Sequence, residues 1–399
     1  MSEQTAYWGY PTNILLASGC SAEAVTWCGK AGRKRPLIVT DPGVRALPWF
    51  EKLTATLSAS CPDLVIFSEI HANPSLDEAR NGAQFFQEGG HDSIIAIGGG
   101  SAIDAAKGIA LASQNPTYLE QFEWSQAMAQ YPTLADYPKS ELPPLIVIPT
   151  TAGTGSELSR EAVLVDTDLH IKKVITHAEL LAFCVLLDPE LTVGLPPGLT
   201  AMTGMDALVH HIEALCSPLF HPMSEGIALE GICLIAQHLP KAFANGSDLS
   251  ARSGMLTASA MAAVAFQKGL GGVHALAHPI GARFGTHHGL LNAILLPYVM
   301  RANRKAIEPQ MNRLARMLDL DGTGFDAVEN WILSLRNNLN VPHNLHAVRL
   351  TEDDAEWVGQ QAVADISSSE TNALPLNAEQ YAAIYRAAVR GRLEDVTPF

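Results

Sequence analysis

The sequence is short of positive charge. It carries 26 lysines and arginines against 41 aspartates and glutamates, a formal charge of −15 at pH 7. Nucleic acids and anionic membrane surfaces are recognised through basic patches, so neither is an expected partner. Long apolar runs are missing too. Nothing approaches the roughly eighteen unbroken apolar residues of a helical membrane span, so none is expected. The N-terminal stretch MSEQTAYWGYPTNILLASG has no basic segment followed by an apolar core, so no secretory signal is expected either. The six cysteines, Cys20, Cys28, Cys61, Cys184, Cys216 and Cys233, form no C-x-x-C pair. Free thiols in a reducing compartment, hence a cytoplasmic protein, are the expectation.

What is present is core material. Hydrophobic residues make up 47% of the 399 positions and charged residues 17%, enough to bury the cores of two domains. In the first half, PLIVT (36–40), DLVIF (63–67), SIIAIG (93–98) and PLIVIPT (144–150) are short β-branched runs, suited to strands buried on both faces. Helical patterns lie between them, as at Leu76 to Glu88 and Ala102 to Ala112. Strands alternating with helices predict βαβ units and a mainly parallel sheet. After LLDPELTVGLPPGLT (186–200) only long Ala/Leu/Met/His-rich segments follow, at 201–216, 222–243, 251–267, 271–284, 289–303 and 323–338. The expected organisation is an α/β domain over residues 1–190 and an all-helical domain over 191–399.

Two loops in the first half suit a phosphate ligand. IAIGGGSAIDAAKGIA (95–110) is an apolar strand, then Gly98, Gly99 and Gly100, then a helix that Ser101 could cap. Glycines admit close approach of the backbone, and a helix N-terminus offers free amides to an anion. A tight strand–helix turn alone would use the same residues, and Lys107, two turns on, reads equally as a solvated helix residue. PTTAGTGSE (149–157) adds the hydroxyls of Thr150, Thr151 and Thr154 after another strand. Two such loops at carboxyl ends of parallel strands mark a nucleotide site. Asp41, closing the first strong strand, suits an adenosine ribose diol and would repel a 2′-phosphate, favouring NAD over NADP. It equally suits a cap for the DPG turn.

The second half holds a histidine constellation. Asp206 and His210 are four apart on one predicted helix, His274 and His278 four apart on another, and His288 precedes Gly289. One aspartate with several histidines is a ligand set for a divalent transition metal such as Fe²⁺, Zn²⁺, Co²⁺ or Ni²⁺.

Read together, VTD (39–41), NPS (73–75), GGGSAIDAAK (98–107), PTTAGTGSE (149–157), DP (188–189), GMDALVHHIEA (204–214), GGVHALAHPIG (271–281) and HHGLLNAILLP (287–297) make the chain resemble the iron-dependent, or group III, alcohol dehydrogenases. The resemblance runs from about residue 12 to residue 390. It implies metal ligation by Asp206, His210, His274 and His288, and places His278 beside the metal, facing nicotinamide and substrate. It implies nucleotide contacts from Asp41, Gly98, Gly99, Gly100, Ser101, Asp104, Thr150, Thr151, Thr154 and Lys172. It implies an active site in the cleft between the two domains, NAD and iron (zinc as the alternative) as cofactors, a small primary alcohol or aldehyde as substrate, and a homodimer or larger assembly. Glycerol dehydrogenases and dehydroquinate synthases share the general architecture, and a non-catalytic NAD-binding metalloprotein would need the same ligands. The AHP…HHGLLNA block favours the alcohol dehydrogenases.

The chain departs from the family pattern at Ala182 and Ala373, where proline is usual. It also departs at Lys268, where a small polar residue is usual, and carries Arg160 in an expected strand after the threonine loop. A cation at Lys268 or Arg160 suits a substrate with an anionic group, such as a semialdehyde or hydroxy acid. Two solvated surface cations are the other reading.

Overall fold

The β-branched runs of the first half become strands at β1 (Asn13–Leu16), β2 (Pro36–Val39), β3 (Val65–Phe67), β4 (Ser93–Gly98) and β5 (Leu145–Pro149), joined by β6 (Glu161–Asp166), β7 (Ile171–Thr176) and β8 (Cys184–Leu187). The computed structural model describes residues 12–133, 135–169 and 171–399; the expectation of a leader-free start rests largely on residues 1–11, outside that range. One compact unit ends at Gly194 and the second spans Leu195–Phe399.

In the first unit six strands form one parallel sheet in the order β1-β8-β5-β4-β2-β3. Every residue of β2, β4, β5 and β8 is buried, as strands covered on both faces require. The edge strands β1 and β3 are partly exposed. Three helices of this unit are α1 (Pro48–Ser60), α2 (Leu76–Glu88) and α3 (Gly100–Ala112). Phe50, Leu53 and Leu57 of α1 join one core cluster with Ile38, Ile95, Ile97, Ile146 and Ile148. The alternate residues of each strand therefore meet this helix, following the two-residue period of the pleat. The sheet was expected, and so was a strand after the threonine loop, which begins at Glu161, one residue past Arg160; β1, β8 and the antiparallel partner β7 were not. DLVIF shrinks to Val65–Phe67.

The described residues of the second unit contain no strand. Its longer helices are α4 (Pro197–Cys216), α5 (Pro222–Ala244), α6 (Leu249–Ala265), α7 (Gly272–Phe284), α8 (His288–Ala302), α9 (Arg304–Met317), α10 (Gly324–Asn338), α11 (Ala355–Ala364) and α12 (Ala378–Arg390). The helices α9, α11 and α12 extend the expected set. Helix α4 is central: every residue from Thr203 to Leu215 is buried, and α5, α6 and α8 pack around it. A helix apolar on all sides needs such a jacket, and the polar groups it carries inside must find partners there.

Candidate functional site

Asp206 and His210 project from one face of α4, one turn apart. On α7, His274 brings its Nε2 to 3.1 Å from His210 Nε2, and the rings stack with centroids 4.6 Å apart. One carboxylate oxygen of Asp206 and one ring nitrogen each of His210 and His274 lie within 4.8 Å of one another, all buried. His288, the first residue of α8, sets its Nε2 3.7 Å from Asp206 Oδ1. The glycine after it matters: a Cβ on Gly289 would stand 2.4 Å from the Met202 carbonyl oxygen. Glycine there lets α8 approach the α4 backbone closely enough to deliver His288.

The start of α7 is fixed by two side chains that the sequence reading did not single out. Glu213, one turn beyond His210, accepts the Gly271 amide at 2.9 Å, the Val273 amide at 2.7 Å, and approaches His274 Nδ1 at 2.6 Å. Asn372 accepts the Gly272 amide at 3.0 Å. Three successive amides that a helix start leaves unpaired are thus satisfied, and the carboxylate sits where the helix dipole favours it. Burial pushes Glu213 up to about 7, against the lowering pull of the α7 amides and of His210. A carboxylate accepting at Nδ1 leaves the His274 lone pair on Nε2, the nitrogen turned to the cluster.

Asn292 is the third unheralded residue. It lies one turn after His288 and is fully buried. Its amide nitrogen donates to Asp206 Oδ1 at 2.6 Å and lies 3.1 Å from both His274 Nε2 and His288 Nε2. Burial holds the His210 imidazole down, to about 4, so it is neutral at pH 7. Three imidazole nitrogens and a carboxylate oxygen therefore converge as electron-pair donors, and Asn292 approaches three of them with only two hydrogens to give. Such a buried, nitrogen-rich, acceptor-dominated set fits a divalent transition metal.

His278, one turn past His274, stacks on His288 with centroids 5.3 Å apart and meets His274 edge-on at 5.5 Å. The structure brings it alongside the cluster of Asp206, His210, His274 and His288. His287 is exposed immediately before α8.

In the first unit the glycine run draws both expected loops together. A Cβ on Gly98 would lie 2.6 Å from Ala102 Cβ and 3.2 Å from Asp41 Oδ2; on Gly99, 3.3 Å from Thr151 Oγ1; on Gly100, 2.8 Å from Thr154 Cγ2. Asp41, Thr151 and Thr154 thus close around three positions where a side chain would not fit. Gly98 also has φ 156°, which favours glycine. Ser101 is not the helix cap. Helix α3 begins at Gly100 with Gly99 before it, and no side chain caps it. Asp41 Oδ1 accepts the Val44 amide at 2.9 Å, so the capping role is real, while Oδ2 faces Gly98. Thr150 is buried, its amide bonded to the Gly98 carbonyl at 2.9 Å.

Asp104 and Lys107 stand behind the loop. Asp104 accepts the Ser156 hydroxyl. Lys107 is not solvated. It is fully buried, and its ammonium donates to the carbonyls of Ser156 at 2.6 Å, Ser159 at 2.9 Å and Glu161 at 2.7 Å. Lys172, on β7, is close enough for its charge to pull Asp104 down, against a larger rise from burial. Arg160 is half-buried where the loop enters β6. Lys268 does not present a free cation. Its side chain is 2% exposed, 3.0 Å from Glu225 and 3.1 Å from the Leu215 carbonyl. That carbonyl belongs to the last turn of α4, where a cation complements the helix dipole.

Comparison with known proteins fits both units. The model for iron-containing alcohol dehydrogenases matches residues 11–189, and that for the C-terminal part of the Fe-containing alcohol dehydrogenase family matches residues 200–389. The chain belongs to the iron-containing alcohol dehydrogenases. It is 37% identical to 4-hydroxybutyrate dehydrogenase of Cupriavidus necator, over 93% of this chain and 97% of that one. It is 34% identical to 1,3-propanediol dehydrogenase of Klebsiella pneumoniae, over 90% and 93%. A solved 1,3-propanediol oxidoreductase superposes with a TM-score of 0.88 at 32% identity, covering 96% of this chain and all of the other. An iron-containing alcohol dehydrogenase is an NAD-dependent, metal-dependent oxidoreductase of alcohols and aldehydes, and the Asp206–His210–His274 triad of this chain is built accordingly. No helix among the described residues is long and apolar enough to cross a membrane.

Proposed function

We propose that the chain interconverts a short primary alcohol bearing a terminal carboxylate and the corresponding semialdehyde, using NAD(H) and iron. The buried convergence of Asp206, His210 and His274, with His288 Nε2 3.7 Å from Asp206, is the observation that carries this reading. These four residues would hold the metal, which when bound supplies Lewis-acid stabilisation of charge developing on the substrate oxygen. His278, beside them, takes the hydroxyl proton in oxidation and returns it in reduction. Gly98, Gly99, Gly100 and Ser101 offer backbone and helix-start amides to the NAD pyrophosphate, and Thr150, Thr151 and Thr154 line the facing loop. The family resemblance also assigns Asp104 and Lys172 to the nucleotide site; Asp104 accepts the Ser156 hydroxyl of the threonine loop, and the Lys172 charge acts on Asp104. A homo-oligomeric, cytoplasmic enzyme belongs to the same reading.

The carboxylate on the substrate is supported by the 4-hydroxybutyrate dehydrogenase relative, and Arg160 is the residue whose part in it the following test decides. Lys268 is no longer a candidate, since its charge serves the end of α4. We expect kcat/KM for 4-hydroxybutyrate to exceed that for 1-butanol, and Arg160→Ala to narrow the ratio about tenfold, the scale of one charge-assisted hydrogen bond. Equal losses for acid and neutral alcohol in the variant would remove Arg160 from the site. No preference for the acid in the parent enzyme would remove the carboxylate from the substrate.

Asp41 gives a second test. Its free oxygen faces Gly98, where it would repel a 2′-phosphate. Asp41→Asn should narrow the preference for NAD over NADP by about tenfold, or ~1.4 kcal/mol. Cofactor Kd values from NADH and NADPH fluorescence titrations check this, and an unchanged ratio contradicts it.

A further inference from the structure

His278 is gripped from outside the histidine cluster. Its Nδ1 lies 2.7 Å from Asp365 Oδ2, a partner 87 residues away. Asp365 ends α11, and its own backbone is fixed on both sides. Its amide donates to the Gln361 carbonyl at 3.0 Å, and its carbonyl accepts the amides of Ser368 at 3.1 Å and Ser369 at 2.8 Å. The second carboxylate oxygen accepts the Ser367 hydroxyl at 2.6 Å. Both carboxylate oxygens are therefore committed, and neither side chain of the pair is more than 16% exposed. Burial pushes the Asp365 carboxyl up, but His278 and the Ser367 hydroxyl pull it down, and the group is held below the usual carboxylate range.

An ionised carboxylate only accepts hydrogen bonds, so the hydrogen of a neutral His278 belongs on Nδ1 and its lone pair on Nε2. The ring cannot turn over without breaking the Asp365 contact or its stack on His288.

We propose that Asp365 is a positioning residue that locks His278 in the Nδ1–H tautomer and so presents Nε2 to the substrate hydroxyl. This rests on the reading of His278 as the proton-handling residue. In oxidation the O–H bond breaks and its proton passes to Nε2. The carbinol C–H bond breaks and its electron pair leaves as hydride to NAD⁺. The carbonyl π bond forms from the O–H electron pair, and the imidazolium, charge-paired with Asp365, returns its proton to water. An asparagine at 365 could turn its NH₂ toward Nδ1, shifting the histidine hydrogen to Nε2 and removing the base.

The test uses the full-length, metal-reconstituted enzyme as Asp365→Asn, His278→Ala and the double variant, with kcat, KM and bound metal measured for each. Long-range ¹H–¹⁵N spectra of the metal-free, histidine-labelled chain report the tautomer, with the His278 signal assigned by its absence from His278→Ala. Asp365→Asn should lower kcat about 10²-fold, the usual worth of a positioned general base, with KM and metal content unchanged. The double variant should be no slower than His278→Ala, and the Nδ1–H pattern should vanish in Asp365→Asn. If Asp365→Asn keeps its rate while His278→Ala is slow, the positioning role is wrong and the histidine role stands. If His278→Ala itself keeps its rate, the histidine reading falls, and this proposal with it. Loss of metal in Asp365→Asn, or a further loss of rate in the double variant, would mark Asp365 as structural and overturn the proposal.

Discussion

Asp206→Ala is expected to purify without bound metal and to lose kcat by about 10³-fold or more, because Lewis-acid stabilisation worth several kcal/mol goes with it at about 1.4 kcal/mol per decade. Asp206 supplies the only carboxylate oxygen of the triad, the one anionic donor that would face a divalent cation directly. It is also the anchor for Asn292, whose amide donates to it at 2.6 Å. Removing it leaves an imidazole-lined pocket and an Asn292 amide that has lost its carboxylate acceptor. The fold should survive, since α4 keeps its apolar packing and Glu213 still holds the start of α7. His278→Ala is the contrast: it should keep the metal and lose rate. Elemental analysis after reconstitution, with circular dichroism for the fold, separates the outcomes. Full metal content in Asp206→Ala would contradict the ligand assignment, and chelation-resistant activity in the parent would contradict the metal's role altogether.

Local spacing made half of this centre legible. Asp206 with His210, and His274 with His278, share a helix face because each pair is one turn apart, and that geometry holds before any tertiary contact. The residues that hold the ligands were less visible, for two different reasons. Glu213 and Asn292 did carry a signal: each sits one turn from a ligand, on the same helix, at a position where a polar group in an apolar run needs a buried partner. Asp365 and Asn372 carried none, because their partners His278 and Gly272 lie 87 and 100 residues away and only the packing of α7 against the C-terminal segments joins them. The secondary structure failed in the same pattern. β1 and β8 are four residues long, too short for an apolar run to distinguish strand from helix. In β7 the pair Lys172–Lys173 interrupts the apolar run, and Pro309 lies inside α9.

Lys107→Met is expected to destabilise the nucleotide-binding unit by about 3–5 kcal/mol, the cost of breaking a buried charge network by removing one partner. The sequence suggested a solvated helix residue; the structure gives a cation with no exposed surface, ringed by three carbonyls and the Ser159 hydroxyl at 2.9 Å. Methionine matches the stem of lysine in length, so the loss is electrostatic rather than a cavity. The carbonyls of Ser156, Ser159 and Glu161 would each lose the donor that Lys107 supplies, at about 1–3 kcal/mol for any left unsatisfied. Asp104, already pushed up by burial, would lose its largest lowering influence and tend to protonate. All three carbonyls lie in the segment that follows Thr154, while Lys107 lies on the helix that follows Gly100. The ammonium therefore ties the threonine loop to the glycine helix, alongside the Ser156–Asp104 hydrogen bond. Cofactor binding should weaken along with stability, while metal content, which depends on α4, α7 and α8, should not change. Urea unfolding followed by far-UV circular dichroism, NADH titration and elemental analysis measure the three effects separately. A variant that unfolds at the parent's urea midpoint and binds NADH equally well would show that the loop holds its shape without the clamp.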